Sequence, residues 1–242
     1  MKPRFQVFTG RAALEEGAAG LIAAALAAAR RTRPGRPSLA LCGGASPRGL
    51  YELLASPAWT AALPWSELEV FFTDERCVGP EHPDSNYAMI QETLLSKVPV
   101  RPESIHRILG ELPAEEAAGR YETELRSAGG CEVALLGAGA DGHTASLFPG
   151  SSLLEERQRW AAATLTPLGP RVTMTLPYLD SCRSVFIYAP GPAKADLVRR
   201  VRSQPEGLLP VQRLSPAEPP LWLLDEDAAE GLSVDSLGAN PL

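Results

Sequence analysis

Strand-like and helix-like segments alternate along the whole chain. Several strand-like runs are apolar throughout, as in EVALLG and SVFIYA, which is typical of strands buried on both faces of a sheet. Strands that alternate with helices indicate crossover units around a mostly parallel sheet. The predicted strands cover residues 5–8, 39–42, 68–73, 132–136, 172–176, 184–188 and 221–224. The predicted helices cover residues 11–31, 47–54, 86–95, 114–126 and 193–201, and a short helix is predicted after Asp225.

The chain length allows one well-filled α/β domain or two small ones. The 242 residues are 45% hydrophobic and 21% charged, which is ordinary for a soluble globular protein. The sequence contains no internal repeat, and its proline-rich stretch, residues 205–220, is followed by a short segment that still holds a predicted strand. We therefore interpret that stretch as a surface loop and predict a single domain over residues 1–242.

The charge balance argues against nucleic acid as a partner. The net charge is −6, from 23 basic and 29 acidic residues, whereas nucleic-acid-binding proteins usually carry a basic balance or a basic stripe. The densest basic run, Arg30, Arg31, Arg33 and Arg36, follows an alanine-rich helix pattern. We interpret it as a solvated helix end, where cations suit the helix dipole, and predict no nucleic-acid partner.

The cysteines and the longest apolar run indicate the compartment. The four cysteines form no C-x-x-C pair, and with three histidines they show no zinc-ligand spacing. Residues 17–29 are apolar, but this run is too short to span a bilayer, and Glu15 and Glu16 before it do not suit a signal peptide. We predict a buried helix, no metal, no membrane association and a reducing cytoplasmic location.

A glycine-rich loop follows the second predicted strand, in LALCGGASPRGLYELL. Gly43 and Gly44 let the backbone turn tightly and approach a ligand. Ser46 can cap the next helix and Pro47 fits its first turn, so the helix N-terminus is a candidate anion site. Arg48 would oppose the helix dipole unless an anion lay nearby. An ordinary strand–turn–helix connection is the alternative, and the missing G-K-S/T excludes a P-loop.

Charged residues follow the third predicted strand, in VFFTDERCVGPEHPDSNYAMI. The D-E-R at 74–76 ends an apolar strand, and residues 84–86 can cap the following helix. Charges at the carboxyl end of a strand indicate function, and a solvated loop is the alternative. We interpret His82 as a loop residue and His106, in a short apolar run, as a structural histidine.

The segment GAGADGHTASLFPG begins as the dinucleotide fingerprint G-x-G-x-x-G. The rest of that pattern is missing, because Pro149 and Gly150 interrupt the helix, the loop is mid-chain and no acidic residue follows about 20 residues on. A carboxylate near an imidazole orients it and favours its protonated form, so Asp141 and His143 could form a general base. No G-x-S-x-G elbow is present, so the base would activate water. The alternative is that Asp141 caps the turn and His143 packs.

Taken in order, GGASPRGLYELL, FFTDERCVGPEHPDSNYAMI, GAGADGHTASLFPG, RVTMTLPYLD and LWLLDEDAA closely resemble the 6-phosphogluconolactonase family. That family shares a superfamily with glucosamine-6-phosphate deaminases and isomerases. The resemblance implies a three-layer α/β fold, with a Rossmann-like, mostly parallel sheet flanked by helices and a small additional β/α portion. It also implies hydrolysis of 6-phospho-D-glucono-1,5-lactone to 6-phospho-D-gluconate, the second step of the oxidative pentose phosphate pathway, with no metal or organic cofactor.

The resemblance implies a mechanism for the three loops. His143 would take a proton from water, which attacks the lactone carbonyl, and would return the proton to the departing ring oxygen. Asp141 would orient the imidazole, and backbone N–H groups of the glycine loop would hold the oxyanion. Asp74 and Asn86 would bind sugar hydroxyls.

The phosphate is predicted to bind at the 43–46 turn, and among its candidate cationic partners the resemblance supports Arg76 and Lys194 most. The substrate-binding residues predicted in all are Gly43, Gly44, Ala45, Ser46, Arg48, Asp74, Arg76, Asn86, Gly139, Arg171 and Lys194.

Two positions depart from the family pattern. Ala45 stands where a hydroxyl residue is usual, so one contact to phosphate is expected to be missing. Asp180 replaces an asparagine, which we expect to change capping rather than chemistry. The acidic residue of the deaminase loop is absent, which favours the lactonase over a sugar-phosphate deaminase or isomerase. A non-catalytic sugar-phosphate sensor is the third hypothesis, and a monomer or weak dimer is expected.

Overall fold

The computed structural model describes residues 3–32, 35–203 and 208–232. The predicted proline-rich loop and the basic run around Arg33 therefore lie partly outside the described residues. The strands in these ranges are β1 Arg4–Phe8, β2 Ser38–Leu41, β3 Glu69–Phe72, β4 Asp74–Arg76, β5 Ile105–His106, β6 Val133–Gly137, β7 Ala161–Thr166, β8 Gly169–Met174, β9 Ser184–Tyr188 and β10 Leu221–Asp225. The α-helices are α1 Gly10–Thr32, α2 Arg48–Leu54, α3 Pro57–Ala62, α4 Asn86–Ile90, α5 Ala114–Ala128, α6 Leu176–Ser181 and α7 Ala195–Ser203.

Seven strands form a parallel sheet with the spatial order β1-β10-β9-β6-β2-β3-β5. Strands β4, β8 and β7 form a second, antiparallel sheet. The described residues thus confirm the predicted α/β class, with a mostly parallel sheet flanked by helices and a small additional portion. Apolar strands are buried on both faces, as their composition predicts.

One face of α1 packs into the core. Leu14, Ala18, Ile22 and Leu26 recur at helical spacing and are fully buried, which confirms a helix with one buried face. By length and composition alone, Gly10–Arg31 would also be long and apolar enough to cross a membrane. In the structure its buried face lies against the sheet.

Two buried tyrosines fix the carboxyl ends of neighbouring strands. The hydroxyl of Tyr51 donates to the Cys42 carbonyl at 2.6 Å. The hydroxyl of Tyr121 donates to the Phe72 carbonyl at 2.7 Å and accepts from the Phe72 N–H at 2.9 Å. The loops after β2 and β3 therefore leave the sheet from anchored positions.

The structure corrects several sequence-based boundaries. Strand β8 ends at Met174, because Thr175 takes the N-cap position of α6, which has proline in its first turn. Residues 226–231 form hydrogen-bonded turns instead of the helix predicted after Asp225. The D-E-R segment is a strand rather than a solvated loop. Four further elements were not predicted from the sequence: β5, β7, α3 and α6.

Two polar residues outside the predicted site make structural hydrogen bonds. His106 is a structural histidine, bonded to Glu69 at 2.8 Å and to Glu124 at 3.1 Å. Asp180 accepts from the Ser215 N–H at 2.6 Å. Its side chain therefore holds a loop.

Candidate active site

A crevice opens between β2 and β6 because the chain leaves these adjacent strands in opposite directions. From β2 it proceeds to β3 on one side, and from β6 to β9 on the other. Ligands of open α/β sheets bind at such a switch point, outside the carboxyl ends of the strands. A cavity of about 200 Å³ lies at this position. Its lining is Cys42, Gly43, Gly44, Ser46, Pro47, Asp74, Arg76, Asn86, Gly137, Ala138, Gly139, His143, Ala145, Arg171 and Lys194.

The cavity gathers residues from all three predicted loops. Of the predicted site residues, all except Ala45, Arg48 and Asp141 line it. Asp141 contacts the lining residue His143, and Ala45 lies in the turn between two lining residues. Arg48 instead pairs with Glu92 at 2.9 Å, so the structure does not bring its side chain to the cavity.

Asp141 and His143 form a close pair. Asp141 Oδ1 lies 2.6 Å from His143 Nδ1 and also accepts from the His143 backbone N–H at 3.1 Å. The imidazole stacks on Phe148, with ring centroids 4.2 Å apart. His143 lines the cavity, and no hydrogen bond to its Nε2 is found in residues 3–32, 35–203 and 208–232.

The Asp141 carboxylate is held in its ionised form. Burial by itself raises its pKa, but the hydrogen bonds and charge of His143 outweigh burial and bring the pKa below the ordinary value. An ionised carboxylate can only accept hydrogen bonds. In the neutral imidazole, the tautomer that suits this contact carries its proton on Nδ1 and its lone pair on Nε2.

The glycine loop uses its own N–H groups to shape itself. Gly139 donates to the His143 carbonyl at 2.9 Å, and Gly142 donates to the Gly139 carbonyl at 2.8 Å. Gly142 has a φ of +86°, in the left-handed region. Both of these N–H groups are therefore engaged within the loop.

Two arginines face each other across the small sheet. Arg76 on β4 is the register partner of Arg171 on β8. Arg171 is buried, and its Nη1 lies 3.5 Å from Asp74 Oδ2. The Nε atoms of both arginines are buried without a hydrogen-bond partner. Two adjacent guanidinium groups with unused donors are suited to binding an anion.

Burial lowers the pKa of two cations in the cavity, Arg171 and Lys194. It lowers the pKa of Arg171, an effect that the nearby Asp74 charge opposes. It also lowers the pKa of Lys194, against a weaker opposing effect of Asp141. The Lys194 ammonium donates to the Ala138 carbonyl at 2.7 Å. The charge of an anionic ligand would compensate these cations for the hydration that they lose on burial.

Asp74 is a buried carboxylate at the centre of a polar network. It accepts from the Ser146 hydroxyl at 2.5 Å and from the Asn86 amide at 3.4 Å, in addition to its contact with Arg171. Asn86 also donates to the Asp74 carbonyl at 2.8 Å. The network therefore holds the second and third loops together below the cavity.

Glu75 is a positioning residue that the sequence analysis did not single out. Its buried carboxylate accepts from the N–H groups of Arg76, Asn86 and Tyr87, each at 2.8 Å. It also accepts from the Ser85 hydroxyl at 2.9 Å. These bonds fix the start of α4, which bears Asn86, against β4. The available sequence signal was the D-E-R at 74–76, which places Glu75 at the carboxyl end of an apolar strand.

The glycine turn after β2 approaches its neighbours closely. A Cβ at Gly43 would lie 1.7 Å from Asn86 Oδ1, and Gly44 has a φ of +88°. Ser46 does not cap α2, since Pro47 occupies the capping position without a side-chain bond. Ser85 does cap α4, by accepting from the Ala88 N–H at 3.1 Å, as predicted.

The thiol in the lining is not a candidate nucleophile. Burial raises the pKa of Cys42 to about 12, so the thiol stays protonated at neutral pH, whereas the thiolate is the reactive form. Within the described ranges, no group of three or more His, Cys, Asp or Glu residues is placed to hold a metal ion.

A family model, described as glucosamine-6-phosphate isomerases/6-phosphogluconolactonase, matches residues 9–222 of this chain. The chain belongs to this family. It is 37% identical over 246 residues to the 6-phosphogluconolactonase of Nostoc sp., which covers 97% of this chain and 100% of that protein. These findings confirm the resemblance carried by the loop motifs.

Solved structures of this glucosamine-6-phosphate isomerase/6-phosphogluconolactonase family have the same architecture. The 6-phosphogluconolactonase of Thermotoga maritima matches with a TM-score of 0.80 and 27% identity, over 93% of this chain and 100% of that one. A monomeric glucosamine-6-phosphate deaminase matches with a TM-score of 0.82 and 20% identity, over 93% and 98%. The fold alone therefore does not separate the two activities, and the residues of the cavity must do so.

Proposed function

We propose that this family member hydrolyses 6-phospho-D-glucono-1,5-lactone to 6-phospho-D-gluconate, with His143 as the general base. The observation that carries the proposal is the 2.6 Å contact between Asp141 Oδ1 and His143 Nδ1, beside a cavity with three cationic residues. The ionised carboxylate fixes the tautomer, so Nε2 is the nitrogen that can accept a proton.

The reaction follows from this tautomer. Nε2 of His143 takes one proton from water as the water oxygen attacks the lactone carbonyl carbon. A tetrahedral oxyanion forms and then collapses, which breaks the bond from that carbon to the ring oxygen. The imidazolium returns its proton to the departing oxygen. Water is thus consumed, and a carboxylic acid and a hydroxyl are formed, with no cofactor required.

The cationic residues would hold the substrate phosphate against the 43–46 turn. Arg76 and Arg171 line the cavity from adjacent positions on β4 and β8, and Lys194 offers an ammonium with further protons besides the one given to Ala138. Binding the remote phosphate would orient the lactone toward His143, which lowers the entropic part of the barrier. Asp74 and Asn86 remain the proposed contacts to sugar hydroxyls.

The aromatic neighbour of His143 favours the lactonase over the deaminase. In the deaminase pattern D-G-H-I-A-F-N-E-P, the acidic residue falls at the position of Phe148 in this chain. Phe148 stacks on the imidazole and supplies no proton-transfer group. A sugar-phosphate deaminase built on this cavity would therefore lack that carboxylate.

The decisive assay follows the disappearance of 6-phospho-D-glucono-1,5-lactone above its spontaneous rate, for the wild type and His143→Ala. We expect clear catalysis by the wild type and a loss of about 10²–10⁴ in kcat in the variant. Full turnover by the variant would contradict the role of His143. Ammonia release from glucosamine 6-phosphate would instead indicate the deaminase. The single domain, the cytoplasmic location and the monomer or weak dimer stay predictions.

A further inference from the structure

Another buried carboxylate lies at the same edge of the sheet but outside the cavity lining. Asp225 ends β10, in the LWLLDEDAA motif, and only 3% of it is exposed. No ion pair to Asp225 occurs within the described part of the chain. A buried carboxylate without a cationic partner is costly unless hydrogen bonds compensate it, so its contacts show what it does.

Both carboxylate oxygens of Asp225 accept a hydrogen bond from the same backbone N–H group. The N–H of Gly191 donates to Oδ1 at 2.9 Å and to Oδ2 at 3.0 Å. The N–H of Ala228 donates to Oδ1 at 2.9 Å. The carboxylate therefore connects the end of β10 to the loop that follows β9, two neighbouring strands of the sheet.

Gly191 has a backbone conformation that is essentially restricted to glycine. Its φ is +85° and its ψ is 163°. It begins the Pro192–Lys194 turn of 3-10 helix, in which the Lys194 N–H donates to the Gly191 carbonyl at 3.0 Å. The position of Gly191 thus sets the direction in which the Lys194 side chain leaves the backbone.

We propose that Asp225 is a positioning residue for phosphate binding: through the Gly191 N–H it fixes the 191–194 turn and so places the Lys194 ammonium in the cavity. The inference rests on the proposed function for the identity of the substrate. Asp225 is not among the residues that line the cavity, so the proposed effect passes through Lys194.

Steady-state kinetics of Asp225→Asn test this role. The amide keeps the size of the side chain and one acceptor oxygen, but an NH2 group replaces the second oxygen that faces the Gly191 N–H, and the negative charge that holds this donor is lost. We expect KM for the phosphorylated lactone to rise about 10- to 100-fold, as for loss of a hydrogen bond to a charged group, while kcat changes less. Turnover of unphosphorylated glucono-1,5-lactone should stay close to that of the wild type.

Matched variants separate positioning from general destabilisation. Glu132 is also a buried carboxylate, and it accepts from the Ser38 N–H at 2.8 Å, away from the cavity. Glu132→Gln should lower thermal stability without changing KM. In a Lys194→Met background, Asp225→Asn should leave KM within about twofold, because coupled residues are not additive. Equal effects of Asp225→Asn in both backgrounds would overturn the proposal.

A second variant and a second readout keep the test independent of activity. Gly191→Ala strains the turn from its other side, and no atom lies within 4 Å of the added Cβ. The chain has three lysines, so ¹³C-dimethylated protein should give a resolvable Lys194 signal, assigned with Lys194→Arg. Both variants should shift that signal, and Glu132→Gln should not. An unshifted signal would overturn the proposal even if the wild type proves to be no lactonase.

Discussion

Gly139 lies directly against the imidazole of His143. A Cβ at Gly139 would be 2.2 Å from both Nδ1 and Cε1 of His143, and 2.7 Å from Asp141 Oδ1. The absence of a side chain at this position is therefore what allows the carboxylate and the imidazole to fold back over the loop. Gly139 thus makes room for the contact between Asp141 and His143.

Gly139→Ala should separate this geometry from folding. The added methyl group must displace the imidazole, and misplacement by about 1 Å can cost about 10² in rate. We expect kcat to fall by at least that factor while KM changes little, measured by lactone hydrolysis. Gly119→Ala is the control, because no atom lies within 4 Å of its Cβ in helix α5. It should keep full activity and gain about 0.5–1 kcal/mol of stability.

Asp141→Asn should change the tautomer of the His143 imidazole. The amide can donate to Nδ1, which would move the proton to Nε2 and remove the lone pair that accepts it from water. We expect kcat to fall by about 10²–10⁴, with KM nearly unchanged, in the same hydrolysis assay. A variant with wild-type kcat would show that the short contact has no part in catalysis.

The pKa of Asp141 sets the pH range over which its carboxylate orients the His143 imidazole. Because the folded-state pKa is lowered, the contact is fully present above the ordinary Asp value of about 3.9. It is lost only as the pH falls through the lower folded-state value. Titration of Asp141 should therefore not limit activity between about pH 5 and pH 7, as a kcat–pH profile would show.

Arg48 and Arg76 form a matched pair of arginines for testing the phosphate site. Arg48 is bonded to Glu92 outside the cavity, whereas Arg76 lines it. Arg76→Ala should raise KM for the phosphorylated lactone by about 10-fold or more, since a hydrogen bond to a charged group is lost. Arg48→Ala should leave KM within about twofold. If Arg48→Ala raised KM and Arg76→Ala did not, the phosphate would instead bind at the start of α2.

Glu75→Gln should weaken both the fold and the site. The amide nitrogen would face donors from Ser85 or Tyr87 and leave them unsatisfied, which costs about 1–3 kcal/mol. Urea unfolding should show that loss. Because Asn86 is held by the same carboxylate, kcat/KM should also decrease. Glu81→Gln, an exposed loop change, should affect neither quantity, and equal stability of the two variants would contradict the role of Glu75.

His106 should make stability depend on pH. Burial lowers its pKa, but hydrogen bonds and charges from Glu124 and Glu69 outweigh burial and raise it above the ordinary value. A raised folded-state pKa contributes stability that is complete below about pH 6.5 and is lost as the pH rises through the folded-state value. The difference in free energy of unfolding between wild type and His106→Asn should shrink from about pH 6 to pH 9. A constant difference would contradict this assignment.

Local pattern predicted the main sheet well because its strands are buried on both faces. Apolar runs such as EVALLG are stable only when both faces are buried. Strands β6 and β9 therefore appear close to their predicted bounds. Strand β7 reads AAATLT, whose alanines have low strand propensity, and only pairing with β8 makes it a strand. Likewise, D-E-R becomes β4 because buried hydrogen bonds satisfy its charges, which no local rule predicts.

The sequence by itself determined the parallel α/β class, the three loops at strand ends and the pairing of Asp141 with His143. These features depend on short-range periodicity, glycine positions and spacing along one loop. Only the tertiary structure decided which cations reach the cavity. Arg76 and Arg171 lie 95 positions apart in the chain and meet through an antiparallel register, while Arg48 turns away to Glu92. The tertiary structure also decided the burial of Glu75 and Asp225. A carboxylate leaves water only when backbone N–H groups, here from other parts of the chain, replace water as hydrogen-bond donors.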